Sequence, residues 1–222
     1  MERLKSLIHG ELYEILIKKG IKKLMPAQEK AIKAGLFDSK NMLVCAPTSA
    51  GKTLIAELAA FNSIMTRKGK AIYIVPLKAL ANEKFKEFKQ FYGDKVKIAL
   101  SIGDMDSPEP YLENYDLIIT TSEKLDSLIR HHSLWLNDVA VVIVDEVHLM
   151  NDTHRGPTLE ILITLLREIL YKIQIIALSA TIGNPNQLAD WLKAELVQDS
   201  WRPVPLHKGV YFAGEIEFKE EK

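Results

Sequence analysis

Residues 41–53 read NMLVCAPTSAGKT, and this stretch decides the fold. The first five are a short apolar run, the next six are small or turn-forming, and a helical pattern opens at Lys52. A strand running through a tight loop into a helix is the reading that fits all three parts. The loop, Ala46-Pro47-Thr48-Ser49-Ala50-Gly51-Lys52-Thr53, follows the phosphate-cradling pattern G-x-x-x-x-G-K-[ST], except that Ala46 replaces the first glycine. Unpaired N–H groups of such a loop and the positive end of the helix dipole attract phosphate. Gly51 permits close backbone approach, Lys52 reaches the β- and γ-phosphates as a point charge, and Thr53 offers a hydroxyl to Mg²⁺.

The same grammar extends in both directions. Apolar runs at 71–75 (AIYIV), 96–101 (VKIALS), 116–120 (DLIIT), 139–144 (VAVVIV) and 174–178 (QIIAL) alternate with helical patterns at 52–67, 79–92, 123–131, 158–171 and 186–194. Nearly continuous apolarity marks strands buried on both faces. Strand and helix in alternation imply right-handed crossovers and an α/β fold, a mostly parallel sheet with helices on both faces. Residues 1–36 read as two helices, with Gly20 closing the first in a left-handed cap and Pro26 opening the second. Residues 1–200 are expected to form one domain. After Trp201, Pro203 and Pro205 break the pattern, and residues 210–218 alternate like a strand in an exit segment spanning 201–222.

Ligands on such sheets bind beyond the carboxyl ends of the strands. The strand at 139–144 ends in Asp145 and Glu146. Asp145 would hold Mg²⁺, and Glu146 would orient and deprotonate an attacking water. Two adjacent carboxylates at a buried strand end need a cation, although an acidic helix cap would read alike. Gln28 carries an amide able to read an adenine edge, or is a plain helix-surface glutamine. His148 lies three residues beyond Asp145, and one cysteine and six histidines without an H-x-x-x-H pair indicate no zinc site.

Composition sets the bounds. The 222 residues carry 29 basic and 29 acidic side chains, which excludes a purely electrostatic nucleic-acid binder. Charge is unevenly placed, since residues 66–97 are rich in lysine and residues 98–126 in acids. Two solvated faces would give the same pattern. The single cysteine, Cys45, excludes a disulfide framework and points to a reducing, cytoplasmic setting. No apolar run reaches the length of a membrane span, and the first residues lack a signal-peptide core.

Asp145-Glu146-Val147-His148 together with Ser179-Ala180-Thr181 resembles the DExH helicases of superfamily 2, and the loop APTSAGKT is similar to theirs. Residues 24–28 resemble the adenine-reading Q motif, and Pro76-Leu77-Lys78-Ala79-Leu80 resembles motif Ia. Ser101-Ile102-Gly103-Asp104 and Thr121-Ser122-Glu123-Lys124 resemble the other strand-tracking motifs. GDMDS (103–107), SEKLDSLIRH (122–131), SATIGNPNQLADWL (179–192), Arg155-Gly156 and WRPVPLHKGV (201–210) resemble the superkiller-like branch, and within it the archaeal Hjm-type helicases. The resemblance implies a RecA-like first motor domain of an ATP-dependent 3′–5′ helicase acting on single-stranded or forked DNA in repair and recombination. A superkiller-like RNA helicase is the near alternative, and a stand-alone NTPase or nucleotide-binding module the distant one. It implies ATP and Mg²⁺ as cofactors and catalytic roles for Lys52, Asp145 and Glu146. Coupling would fall to His148, Ser179 and Thr181. Strand contacts would come from Pro76, Leu77, Lys78, Gly103, Asp104, Thr121, Ser122 and Lys124. A second motor domain in cis is implied as partner, and a monomer is expected. Motifs of that second domain are missing from these 222 residues, so this chain alone is expected to bind nucleotide and hydrolyse it poorly.

Overall fold

The computed structural model describes residues 1–103, 107–170, 172–204 and 209–218. Its centre is a seven-stranded, all-parallel sheet: β1 (Met42–Cys45), β2 (Lys70–Val75), β3 (Ile98–Ser101), β4 (Leu117–Thr121), β5 (Val139–Val144), β6 (Gln174–Ser179) and β7 (Glu195–Gln198). The order across the sheet is β3-β4-β2-β5-β6-β1-β7. β1 therefore pairs with two late strands, Met42 facing Ile176 on one side and Glu195 on the other.

Strand residues alternate between two cores, as a pleated chain must. Tyr73, Val75, Val141, Ile143, Ile176 and Leu178 face one core. It is shared with α2 (Gly10–Lys18), α3 (Pro26–Lys33), α4 (Lys52–Met65) and α5 (Lys78–Tyr92). Ile72, Ile74, Val142, Val144, Ile175 and Ala177 face the other, covered by α6 (Ser122–Arg130), α7 (Gly156–Ile169) and α8 (Pro185–Leu192). Both sheet faces are sealed, which is why the strands read as continuous apolar text. Each fully buried Leu, Ile or Phe contributes roughly 1.5–3 kcal/mol of transfer free energy.

α4 is enclosed along most of its length, from Leu54 to Ser63. It carries one acid inward, Glu57, whose carboxylate accepts from Lys19 Nζ and from Tyr92 Oη, both at 2.6 Å. Burial pushes the Glu57 carboxyl above the usual carboxylate range, against the opposing pull of Lys19. This cluster pins the phosphate-loop helix to α2 and α5, with Phe61 stacked on Tyr92 beside it.

Three details differ from the sequence reading. The N-terminal region holds three helices rather than two, because α1 (Glu2–Lys5) stops before α2 begins. Gly20 does close α2 with φ +77°, its N–H bonding Ile17 O and that of Ile21 bonding Leu16 O. β7 was not foreseen: only Val197 of its four residues is buried, so no apolar run announced it. Residues 210–218, read as one strand, are a hairpin of β8 (Gly209–Phe212) and β9 (Glu215–Phe218), turning at Ala213-Gly214 with positive φ at both.

Candidate active site

Because all seven strands run parallel, their carboxyl ends lie along one edge, and the strand order sorts what that edge carries. β1, β6 and β5 deliver the phosphate loop, Ser179-Ala180-Thr181 and Asp145-Glu146. β2, β4 and β3 deliver Pro76-Leu77-Lys78, Thr121-Ser122 and Gly103. One half of the edge thus holds the nucleotide candidates and the other the strand-tracking candidates, with β2 and β5 at the seam.

The loop leaves β1 at Ala46, whose N–H donates to Ser179 O across the β1–β6 pair at 3.3 Å. Ser49 and Gly51 both adopt left-handed φ, 72° and 76°, which bends the chain back before α4. A Cβ on Gly51 would collide with the Gln28 amide and lie 2.8 Å from Met25 Sδ. Glycine is required here by neighbours as well as by φ. Lys52 Nζ donates to Ala46 O at 2.8 Å and Pro47 O at 3.1 Å, which holds the ammonium across the loop. Burial lowers the Lys52 pKa, while Glu146 and Asp145 push it back up and Arg202 adds a smaller downward pull. Cys45, beneath the loop, is buried and its thiol is pushed up by burial, with the Ser179 hydroxyl acting in the opposite sense.

Gln28 lies against the phosphate loop. It is 2% exposed, its Oε1 accepts from Met25 N–H at 2.8 Å, and its Nε2 donates to Gly51 O at 3.0 Å. Each end of the amide makes one bond to main chain and keeps one further N–H and one further lone pair, and the Nε2 bond ties it to the phosphate loop.

At the β5 end, Asp145 Oδ1 accepts from the Glu146 N–H and Oδ2 from Tyr73 Oη, each at 3.0 Å. Glu146 takes φ +53°, uncommon for a non-glycine residue and a small local strain. The turn lifts its carboxylate off the strand line, and Oε2 lies 3.4 Å from His148 Nδ1. The same Nδ1 stands 3.4 Å from the Ala180 N–H. One nitrogen cannot accept from Ala180 and donate to Glu146 at the same time, so His148 stands within reach of both Glu146 and the Ser179–Thr181 segment and serves one of them at a time. Among the described residues, no cluster of three or more His, Cys, Asp or Glu could cage a metal. A Mg²⁺ ion on nucleotide phosphates needs only one or two protein oxygens, and a carboxylate at Asp145 with a hydroxyl at Thr53 suits that demand.

On the other half of the edge, Leu77 and Lys78 are exposed at the uncapped start of α5, where the first turn carries no acid. Gly103 is exposed, and Asp104 lies outside the described residues. Thr121 caps α6 by accepting from Lys124 N–H, and Thr121 and Ser122 are buried. Lys124 departs from the sequence reading. Its side chain is 0% exposed, and Nζ lies 3.4 Å from a Glu109 oxygen and 3.1 Å from Ser107 O. A buried ammonium held by a carboxylate cannot track a strand in that position; it ties the 107–109 segment to α6. Tyr73 is the residue that sequence reasoning missed. The only signal was a lone phenol within an aliphatic strand.

Residues 25–188 match the family pattern described as DEAD/DEAH box helicase. The ATP-dependent DNA helicase Hel308 of Pyrococcus abyssi is 50% identical over 207 residues, which cover 93% of this chain and 28% of that protein. Hel308 of Methanocaldococcus jannaschii is 56% identical over 216 residues, covering 94% and 18% respectively. Among solved structures, the DUF1998 helicase MrfA bound to DNA and AMPPNP superposes with a TM-score of 0.75 at 26% identity, over 87% of this chain and 29% of that one. The chain spans less than a third of the length of these curated relatives.

Proposed function

The chain belongs to the DEAD/DEAH box helicases, and from that premise we propose that it is the ATP-binding first motor domain of an ATP-dependent DNA helicase. The observation that carries this reading is the strand order, which sets the nucleotide candidates on one half of the sheet edge and the strand-tracking candidates on the other, meeting at the β2–β5 seam. The substrate we assign is single-stranded or forked DNA, tracked 3′ to 5′, as in repair and recombination intermediates. A second motor domain in cis would complete the groove.

ATP phosphates would lie on the loop's N–H groups, with Lys52 turning from Ala46 O and Pro47 O to the β- and γ-oxygens. Thr53 and Asp145 would hold Mg²⁺, which neutralises charge between those phosphates. Glu146 would accept the proton of a water attacking the γ-phosphorus as the bond to the β–γ bridging oxygen breaks. His148 would couple Glu146 to the Ser179–Thr181 segment by exchanging its Nδ1 between the Ala180 N–H, from which it accepts, and the Glu146 carboxylate, to which it donates. Leu77, Lys78 and Gly103, exposed on the neighbouring half, would meet the phosphates of the strand, and such contacts carry no base identity.

The test compares ATP turnover of this chain with that of a version extended through the second lobe, both with single-stranded DNA. An arginine supplied across the cleft accelerates phosphoryl transfer by about 10³–10⁵, so the short chain should be slower by a factor of that order. Equal rates would show self-contained catalysis and favour a stand-alone NTPase. Competing RNA in the same assay would identify an RNA-directed motor if it displaced DNA.

A further inference from the structure

β2 presents Ala71, Tyr73 and Val75 to the core that holds α4 and α5. Tyr73 is completely buried there, edge-on to Phe88 of α5 with ring centroids 5.5 Å apart. A phenylalanine would fill the same space. The hydroxyl is what the site gains, and it donates to Asp145 Oδ2 at 3.0 Å. The contact follows from the register: Tyr73 pairs with Ile143, and Asp145 lies two residues on, on the same face.

We infer that Tyr73 is a positioning residue for Asp145, fixing the orientation of the carboxylate that would receive Mg²⁺. The inference rests on the assignment of Asp145 as metal ligand made above. Asp145 Oδ1 is held by the Glu146 N–H and Oδ2 by the Tyr73 hydroxyl, so rotation of the carboxylate is opposed at both oxygens. Each oxygen keeps acceptor capacity beyond that one bond. Groups that hold a metal ligand from behind in this way set its affinity for the ion. β2 also runs directly into Pro76-Leu77-Lys78, so the element that orients Asp145 is the one that begins the strand-tracking half.

The experiment uses the 222-residue chain, a fluorescent ATP analogue and a Mg²⁺ titration from an EDTA baseline. Tyr73→Phe should bind the analogue in EDTA as the wild type does, because Lys52 and the loop are untouched. Its Mg²⁺ midpoint should rise about 10-fold, the lower end of the usual effect of losing such a partner. Tyr92→Phe removes the same hydroxyl from the Glu57 cluster and should leave the midpoint unchanged. An unmoved midpoint in Tyr73→Phe, or an equal shift in Tyr92→Phe, overturns the inference. So does a Tyr73→Phe chain that loses affinity in EDTA, since it would then act through the loop. Asp145→Asn separates the two levels of argument. If that variant keeps the full Mg²⁺ response, the assignment of Asp145 itself fails.

Discussion

Replacing Gln28 by alanine should weaken every nucleotide equally, although the residue lies in a segment that resembles an adenine reader. The amide supplies one acceptor to Met25 N–H and one donor to Gly51 O, in a space almost closed to solvent. Alanine leaves both main-chain groups without those partners. Each such bond contributes about 1 kcal/mol net, so the loop arrangement loses about 2 kcal/mol. If that loss falls wholly on the phosphate-competent loop, affinity drops about 30-fold, since 1.4 kcal/mol is a factor of ten. Calorimetric titration with ATP, GTP and inorganic tripolyphosphate, each with Mg²⁺, separates the two readings. Equal weakening for all three means that Gln28 acts through Gly51. Weakening confined to ATP, with tripolyphosphate bound as before, would refute this reasoning and return Gln28 to the adenine edge.

Glu146→Gln, in the version carrying both motor lobes, should retain ATP·Mg²⁺ binding and lose about 10²–10⁴ in turnover, read in a phosphate-release assay. Lys19→Met should destabilise the domain by about 3–5 kcal/mol at neutral pH, because it strands Glu57 as an uncompensated buried charge. Glu57 already has a raised folded-state pKa, so its contribution is greatest below the unfolded value of 4.5 and is lost as pH rises through the folded one. Removing Lys19 raises it further, so urea melts should show the deficit shrinking from pH 8 to pH 5.5; an equal deficit at both would contradict the buried-pair argument. Lys124→Met should lower stability while leaving the salt dependence of single-stranded DNA binding as it was, whereas Lys78→Ala should reduce that slope by about one. The reverse pattern would restore Lys124 to the strand track.

The sheet and its chemistry were legible for one reason. Strands sealed on both faces are written as apolar runs, and the residues that follow them are the ones placed at the active edge. That logic singled out the loop at 46–53 and Asp145-Glu146 as candidates, whereas Ser179–Thr181 was picked out by its resemblance to the DExH helicases. It failed where burial does not follow hydrophobicity. β7 is an edge strand with one buried residue, so ELVQ carried no signal. Lys124, a strand contact by the resemblance of residues 121–124, has its partner Glu109 fifteen residues upstream, which no local pattern reveals. Tyr73 read as core because it is core; only its hydroxyl, visible once β5 is laid beside β2, makes it more. The Gln28 amide is similar, since its loop partner is remote in sequence.

The position of β1 has a consequence for the order of assembly. Its two neighbours are β6 and β7, the last strands of this sheet to be made, whereas β2, β3, β4 and β5 neighbour one another and are made in succession. During synthesis from the N-terminus, the β2–β5 group can close while β1 still lacks both partners. Ala46 N–H also waits for Ser179 O. The phosphate loop is therefore early in the chain and late in the structure. A ribosome-stalled series should gain nucleotide binding only after residue 198 has emerged, well after the β2–β5 group resists protease, so a nascent chain too short to couple ATP to a strand is also too short to hold ATP.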